Sequence, residues 1–390
     1  MQPFYFLIQF FLCFKHVLGK SHCVGTCYSG RLFPEPQDTF HGKHLKGYSY
    51  NNITTDDPAK CYSSCFQDCR CKACQMKDAR CELLDEDKTS KSGDFVPQSG
   101  YVYFDLRQTM FHVESHMVPV AQGVCYNGCC RSNPCINGAK CIELCKDPKV
   151  KFKCQCPNSR TGKVCQKTIS SCKDVLASSN SLPVNGVYSI TRKDTRAVVQ
   201  VYCAFTAPNQ AWTLIESFSL DMNRMSLSMA YYNKAFNQDW ARNQHSHNWK
   251  DFRMSLADMK YFRSDSSMFR ATCDFPNKDI DLTPDYMIGN LSAYDPIGNP
   301  DATGKCFLIT YVNIRGYEFL NVQTPMWSVV NTFHPHVACG DPTLCAAPSF
   351  PVKESVASED CFGFYGASNT KSKCTATKES TTQWWLGDTV

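Results

Sequence analysis

The chain has 390 residues, 26 of them cysteine, and a formal net charge of +5 at neutral pH. That length accommodates two or three ordinary domains. The small charge and the lack of any basic block argue against a nucleic-acid partner. The cysteines are unevenly spread: seventeen lie between residues 20 and 166, and only eight from 169 onward, where all six tryptophans also fall. This predicts a cross-linked N-terminal half with little core, followed by a larger domain with an aromatic core.

Residues 4–14, FYFLIQFFLCF, form an apolar run too short to span a bilayer but suited to a signal peptide. Val17-Leu18-Gly19 offers small residues before a cut, so residues 1–19 are expected to be removed and the mature chain to begin at Lys20. No later stretch reaches the 18 or more apolar residues of a membrane helix, and TTQWWLGDTV at the C-terminus carries no lipid-anchor signal. The expectation is a secreted protein without a membrane span. Two sequons, at Asn52 and Asn290, predict glycosylation. In an oxidising compartment the cysteines default to disulfides. Only Cys71-Lys72-Ala73-Cys74 has the spacing of a zinc knuckle, and it lacks a second pair. No metal or cofactor is expected.

Asp57-Pro58 is a helix start, with Asp as the cap and Pro in the first turn. In AKCYSSCFQDC that follows, Cys61 and Cys65 share a helical face, from which both can be tied to a sheet. Cys69, Cys71, Cys74 and Cys81 come next, the last within CELLDED, and YVYFDL at 101–106 is strand-like. The pattern C-x3-C, a short gap, C-x2-C and then C-E-L-L resembles the PAN/apple module. This resemblance covers residues 20–106 and implies a small antiparallel sheet around one helix that binds proteins or carbohydrates outside the cell. The copy carries eight cysteines where the family commonly has four or six, so its pairings stay open. Residues 107–125 read as a linker.

Residues 125–141 read CYNGCCRSNPCINGAKC. From Cys130 the spacing is C-x4-C-x5-C-x12-C-x-C-x8-C, and this resembles an EGF-like module over residues 126–166. Asn137-Gly138 falls at the family's turn and Lys151–Cys156 at a hairpin strand. The resemblance implies the pairs Cys130–Cys141, Cys135–Cys154 and Cys156–Cys165. The acidic residues of calcium-binding members are missing. Cys129 and Cys145 lie outside the framework, and one additional bridge, Cys129–Cys145, would consume both.

Residues 167–390 open with turns at Pro183 and Gly186, followed by the strand-like VYSI, AVVQVYCAF and AWTLIESF. Ser255 can cap a helix through LADMKYFR, and CFLITYVNI at 306–314 reads as a buried strand. Cys172, then N-G-V-Y-S-I, V-Y-C at 203 and W-T-L-I resemble the start of a fibrinogen C-terminal-like domain, which implies a Cys172–Cys203 bridge. CFGFYGASNTKSKC at 361–374, followed by Trp384-Trp385, resembles that family's last disulfide, implying Cys361–Cys374, and its tryptophan pair. The family's W-x-x-Y-x-x-G-F-G stretch is blurred into YYNKAFNQDWARNQHSHNWKDF, and its Asp-rich calcium loop is missing. Asp279, Asp281 and Asp285 in one loop, and Asp295 and Asp301 in another, fit no known calcium loop and read as solvated turns.

Catalytic signatures are missing from the sequence. His112, Glu114 and His116 have the wrong spacing for a zinc protease, and the pairs His245/His247 and His334/His336 read as polar surface. The class expected is a multidomain α+β protein, disulfide-rich in its first two modules. Its expected role is non-catalytic, as a secreted matrix or adhesion protein binding extracellular proteins or glycans. The module order is similar to that of secreted coral and sea-anemone proteins, some of them in the skeletal organic matrix. Fibrinogen-related glycan recognition in innate defence is the alternative, and a hydrolase in the last domain is the enzymatic one. Only DEDK at 85–88 is densely acidic, which suits scaffolding better than direct contact with carbonate mineral. With Cys13 removed, 25 cysteines remain and pairing leaves Cys125 over, so a disulfide-linked dimer or matrix cross-link through Cys125 is expected.

Overall fold

The computed structural model describes residues 25–113, 126–179, 181–206, 209–225, 230–275, 285–340, 344–345 and 352–389. The signal segment and the proposed linker cysteine Cys125 lie outside these residues. The chain divides into two compact units, with the boundary between Gln166 and Lys167. Both are mostly β-sheet with few helices.

In the first unit, β1 (Gly25–Ser29) and β7 (Thr109–Val113) form an antiparallel ribbon. A five-stranded antiparallel sheet holds β2 (Thr39–Leu45), β3 (Ser49–Thr54), β4 (Ala73–Lys77), β5 (Arg80–Leu84) and β6 (Phe95–Asp105), in the order β2-β6-β4-β5-β3. The helix Pro58–Gln67 packs on β4 and β5. Asp57 caps it by accepting from the Ala59 amide at 2.8 Å, and Pro58 occupies its first turn, where no amide hydrogen is needed. Cys61 and Cys65, one turn apart, reach Cys81 and Cys71 respectively. The first bridge joins helix to sheet and the second ties the helix to the turn before β4, over a cluster that includes Tyr62, Leu83, Phe104 and Leu106. Strands β8 (Lys140–Asp147) and β9 (Val150–Gln155) form a hairpin, and β10 (Arg160–Thr161) follows. Asn137 and Gly138 both take positive φ, 58° and 74°, the left-handed conformation an Asn-Gly turn supplies at least cost.

The second unit, which begins with β11 (Lys167–Thr168), is built on an eleven-stranded antiparallel sheet. Its strands are β12 (Gly186–Thr191), β13 (Val198–Thr206), β14 (Gln210–Ser219), β15 (Asp251–Arg253), β16 (Met268–Cys273), β17 (Tyr286–Asn290), β18 (Lys305–Ile314), β19 (Tyr317–Val329), β20 (Phe333–Ala338), β21 (Asp360–Cys361) and β22 (Thr381–Thr389). The order is β12-β13-β14-β22-β16-β17-β18-β19-β20-β21, with β15 also pairing β14. β22 thus sits inside the sheet, and successive residues on a strand point to opposite faces. Trp384 and Trp385 are both fully buried, so both faces of the sheet are covered there. Their indoles donate to the Phe362 carbonyl at 2.8 Å and to Thr272 Oγ1 at 3.0 Å. On the Trp385 face the Arg270 guanidinium lies 4.5 Å from the Trp212 ring and 4.4 Å from the Trp385 ring. A side chain at Gly387 would meet Trp212 at 2.2 Å. Ser255 accepts from the Asp258 amide and caps the helix Leu256–Ser264. In the strand expected at 306–314 only the second half is buried, and Leu308 stands 49% exposed.

Candidate binding groove and disulfide framework

The framework cysteines bond as Cys130–Cys141, Cys135–Cys154 and Cys156–Cys165, and Cys172 bonds to Cys203. Two expected pairs are corrected. Cys129 bonds to Cys69, sixty residues earlier, not to Cys145; Cys145 is itself disulfide-bonded. The 3-10 turn Cys129–Ser132 sends adjacent cysteines to different partners, Cys130 into the EGF-like framework and Cys129 back to the loop after the first helix. Cys361 bonds to Cys339 and Cys374 to Cys273, not to each other. Strand pairing decides this: the register Ala338 to Asp360 brings β20 and β21 together beside Cys339 and Cys361. Cys273 ends β16, next to β22. A further bridge joins Cys306 to Cys345. Among the described residues the free thiol is Cys74, buried in β4, where desolvation raises its pKa far above the usual thiol range. The expectation for Cys125 concerns a residue outside the described set.

The acidic run at 85–88 is occupied from within. Asp85 accepts from Arg70 at 2.8 Å and lies 3.3 Å from Lys163. Glu86 pairs with Lys72 at 3.0 Å and Lys163 at 2.7 Å. Lys149, in the turn between β8 and β9, reaches Asp87 and Asp105, each at 2.8 Å. Burial alone would raise these carboxylates, but hydrogen bonds from Lys163 and Lys72 pull Glu86 down to about 2, and those from Lys149 do the same for Asp87. Asn127 adds neutral contacts by donating to Tyr28 Oη at 2.9 Å, the Leu144 carbonyl at 2.9 Å and the Lys151 carbonyl at 2.7 Å. The EGF-like module is thus clamped on the first sheet by a covalent bridge and a partly buried charge network.

The remaining candidate residues have structural uses or lie outside the described set. Asp285 accepts backbone amides of Arg315, at 2.9 Å, and of Lys373. Asp295 caps its own turn through the Gly298 amide at 2.8 Å and pairs with Arg263. Asp301 pairs with Lys305 on the surface. Asp279, Asp281, Glu114 and His116 lie outside the described residues, as does the side chain of His112. Asn52 is exposed on the edge strand β3, and Asn290 is exposed at the end of β17. No cluster of three or more metal-ligating side chains occurs among the described residues.

The histidine pairs expected at the surface are placed differently. His245 is exposed, whereas His247 stacks on Tyr202 at 5.0 Å and abuts Trp249, and burial lowers it to about 4. His334 is fully buried: Nδ1 faces the Pro335 carbonyl at 2.7 Å and Nε2 meets Glu216. Arg253, also fully buried, holds the other Glu216 oxygen at 2.7 Å and donates to the carbonyls of Lys234 and Ala235 at 3.0 and 2.7 Å. The segment 231–250, leading into β15, is therefore held by polar side chains rather than by regular strands. Tyr231 and Arg242 both bond Asp251 there, and Trp240 packs on Tyr231.

His336 Nδ1 lies 2.8 Å from the His334 carbonyl, so Nδ1 carries the proton and Nε2 turns its lone pair toward Asp360 Oδ1 at 3.5 Å. Burial lowers His336 to about 4 and raises Asp360 to about 6. Between pH 4 and 6 the folded chain binds a proton at Asp360 that the unfolded chain has released, so this contribution falls as pH rises. Over the same range the unfolded chain holds a proton at His336 that the folded chain lacks, so that contribution rises with pH. The two slopes oppose each other. Relative to the unmodified chain, Asp360→Asn is expected to gain stability from pH 4.5 to 6.5 and His336→Asn to lose it, each by on the order of 1–2 kcal/mol. Urea midpoints followed by tryptophan fluorescence at the two pH values test this, and slopes of the same sign in both variants would refute it.

A groove of about 150 Å³ opens in the first unit, between the β1–β7 ribbon, the 3-10 turn Pro36–Asp38 and the first helix. Its walls carry two ion pairs, Arg31 with Glu35 at 2.5 Å and Arg107 with Asp38 at 3.2 Å. Gln108 lines it at 8% exposure; its amide nitrogen donates to the Phe66 carbonyl at 3.2 Å, and its carbonyl oxygen has no hydrogen-bond partner. Phe33, also lining it, is 64% exposed. Gly30 is required by close approach, since a Cβ there would meet the Arg107 carbonyl at 2.6 Å. Sequence reading missed the groove because its walls come from segments far apart in the chain. An isolated exposed phenylalanine between Pro and Gly residues was the one local signal.

Comparison with known proteins gives one family match: residues 130–164 match the EGF-like domain. No curated protein and no solved structure matches the chain. No helix among the described residues is long and apolar enough to cross a membrane. An EGF-like module together with this density of disulfides fits an extracellular protein.

Proposed function

We propose that the chain is a secreted, non-catalytic modular protein of the extracellular matrix or cell surface, acting through binding of protein or glycan partners. The observation that carries this reading is the clamp between the EGF-like module and the first sheet. Cys69–Cys129 and the lysine–carboxylate pairs turn two small modules into one stiff unit, a property suited to displaying a contact surface rather than to enclosing a reaction. The resemblance of the first segment to PAN/apple modules and of the last to fibrinogen C-terminal-like domains supports the same reading, as do the exposed sequon asparagines Asn52 and Asn290. A place in a skeletal organic matrix follows as the scaffolding version of this role. The acidic run is neutralised internally, so adhesion to matrix partners is favoured over contact with mineral.

Surfaces coated with the purified chain are expected to support cell attachment well above an albumin control, while the protein in solution leaves calcium carbonate crystal growth nearly unchanged. Absence of attachment, or strong control of crystal growth by the isolated protein, would overturn the proposal.

A further inference from the structure

We infer that the outer face of the β8–β9 hairpin docks an acidic, extended segment of a partner protein. This rests on the binding role proposed above and names a surface and a partner chemistry for it. Residues 126–166 hold eight lysines and arginines, spread singly, against two acids, Glu143 and Asp147. This stretch therefore carries more net positive charge than the chain's total of +5. The structure divides those cations into two sets. Lys149 and Lys163 are committed to the clamp, Lys151 is buried over the Tyr28 ring at 4.9 Å, and Arg131 donates to Tyr126 Oη. Lys140, Lys146 and Lys153 stay exposed and pair with no carboxylate among the described residues. The module's own acids are already engaged. Glu143 accepts the amides of Asn127 and Cys130, at 2.5 and 3.1 Å, and Asp147 accepts the Lys149 amide at 2.8 Å.

The strand register makes two of the free lysines neighbours on one face. Lys140 lies opposite Gln155 and Ile142 opposite Lys153, while Cys141 and Cys154 point to the other face with their bridges. All four outward residues are exposed, Ile142 at 40%. Lys140 and Lys153 therefore rise from diagonal positions ~7–8 Å apart. Alternate residues of an extended chain, which share one side, are ~7 Å apart. A peptide with acids at alternate positions thus meets both lysines with one side. Neither lysine gives up an ion pair on binding, whereas a ligand carboxylate at Lys149 or Lys163 would have to displace one. Ile142, beside both free lysines, decides which polyanion fits. Its exposed apolar surface can be covered by a Leu or Ile of a peptide, a contact that a sulfated sugar chain lacks.

The test uses the full-length chain and fluorescence anisotropy with three labelled probes at low ionic strength. These are a peptide repeating Asp-Leu-Asp-Ser, the same peptide with Ser for each Leu, and a sulfated oligosaccharide of equal charge. The Leu-containing peptide is expected to bind about threefold or more tighter than either other probe, and to weaken as salt is raised. Lys140→Glu combined with Lys153→Glu is expected to weaken that binding by about tenfold or more, and Ile142→Ser by about threefold, with circular dichroism unchanged. Lys193→Glu combined with Lys260→Glu, both exposed in the second unit and identical in charge change, is expected to bind like the unmodified chain. Tighter binding of the sulfated probe, equal binding of the two peptides, or equal losses in the two double variants would each overturn the inference. Cell attachment by the unmodified chain separates this surface from the broader role. Attachment without peptide binding sinks the hairpin surface alone, whereas failure of attachment sinks the adhesion role itself.

Discussion

Replacing Arg253 with methionine is expected to lower the thermal midpoint of the C-terminal unit by on the order of 10 °C. Glu216, Arg253 and His334 are each fully buried, and Glu216 divides its two oxygens between the other two. Removing the guanidinium strands a carboxylate in the core, a change that typically costs about 3–5 kcal/mol. It also releases the carbonyls of Lys234 and Ala235, which lose their donor. For a unit of this size about 1 kcal/mol corresponds to ~2–4 °C. The double variant Glu216→Leu with Arg253→Met should be milder than Arg253→Met alone, because it removes the uncompensated charge. All tryptophans lie in this unit, so their fluorescence reports its unfolding selectively. If the two single losses simply add in the double variant, the three side chains are not acting as one network.

The second large effect concerns the clamp. Cys69–Cys129 closes a loop of sixty residues, and loss of such a bridge costs on the order of 4 kcal/mol through the freedom returned to the unfolded chain. The Cys69→Ser/Cys129→Ser variant should still hold its EGF-like module at pH 7, where Lys149 and Lys163 remain paired with Asp87 and Glu86. The folded pKa of both carboxylates lies at about 2, below their unfolded values near 4. Their contribution is therefore complete above pH 4 and disappears as the pH falls toward 2. Hydrogen exchange over 126–166, corrected for intrinsic rates, should be modestly faster than in the unmodified chain at pH 7. At pH 3 it should be faster by an order of magnitude or more. Equal protection at pH 3 would show that neither the bridge nor the charges hold the module in place.

How much of this was legible in the sequence depends on how far apart the partners lie. The EGF-like spacing was readable because all six cysteines fall within 36 residues and their intervals constrain one another. The first helix was readable because Asp57 and Pro58 act on their own turn. Cys129 gave no hint of Cys69, since nothing in the local spacing distinguishes a bridge within a module from one between modules. His334 read as polar surface for the same reason: its partner Glu216 is 118 residues away, and only the sheet brings them together. The DEDK run read only as the chain's one densely acidic stretch, and its spacing gave no sign of the four basic side chains from three segments that neutralise it. The C-terminal sheet was legible as strands but not as an order, because alternation marks a strand without naming its neighbours.

The position of β22 between β14 and β16 also dictates a timetable. A ribosome delivers β14 as far as Ser219 long before it delivers Thr381, and in that interval β14 and β16 have no strand between them. At ~5–20 residues per second the gap lasts on the order of ten seconds or more. During that time two apolar strand edges wait for a segment that does not yet exist, each a template for pairing with a wrong chain. Cys273 waits with them, reactive and unpaired until Cys374 arrives. The described bridges of the N-terminal unit all close within that unit, so it can mature early while the half-made second sheet is still open to wrong pairing.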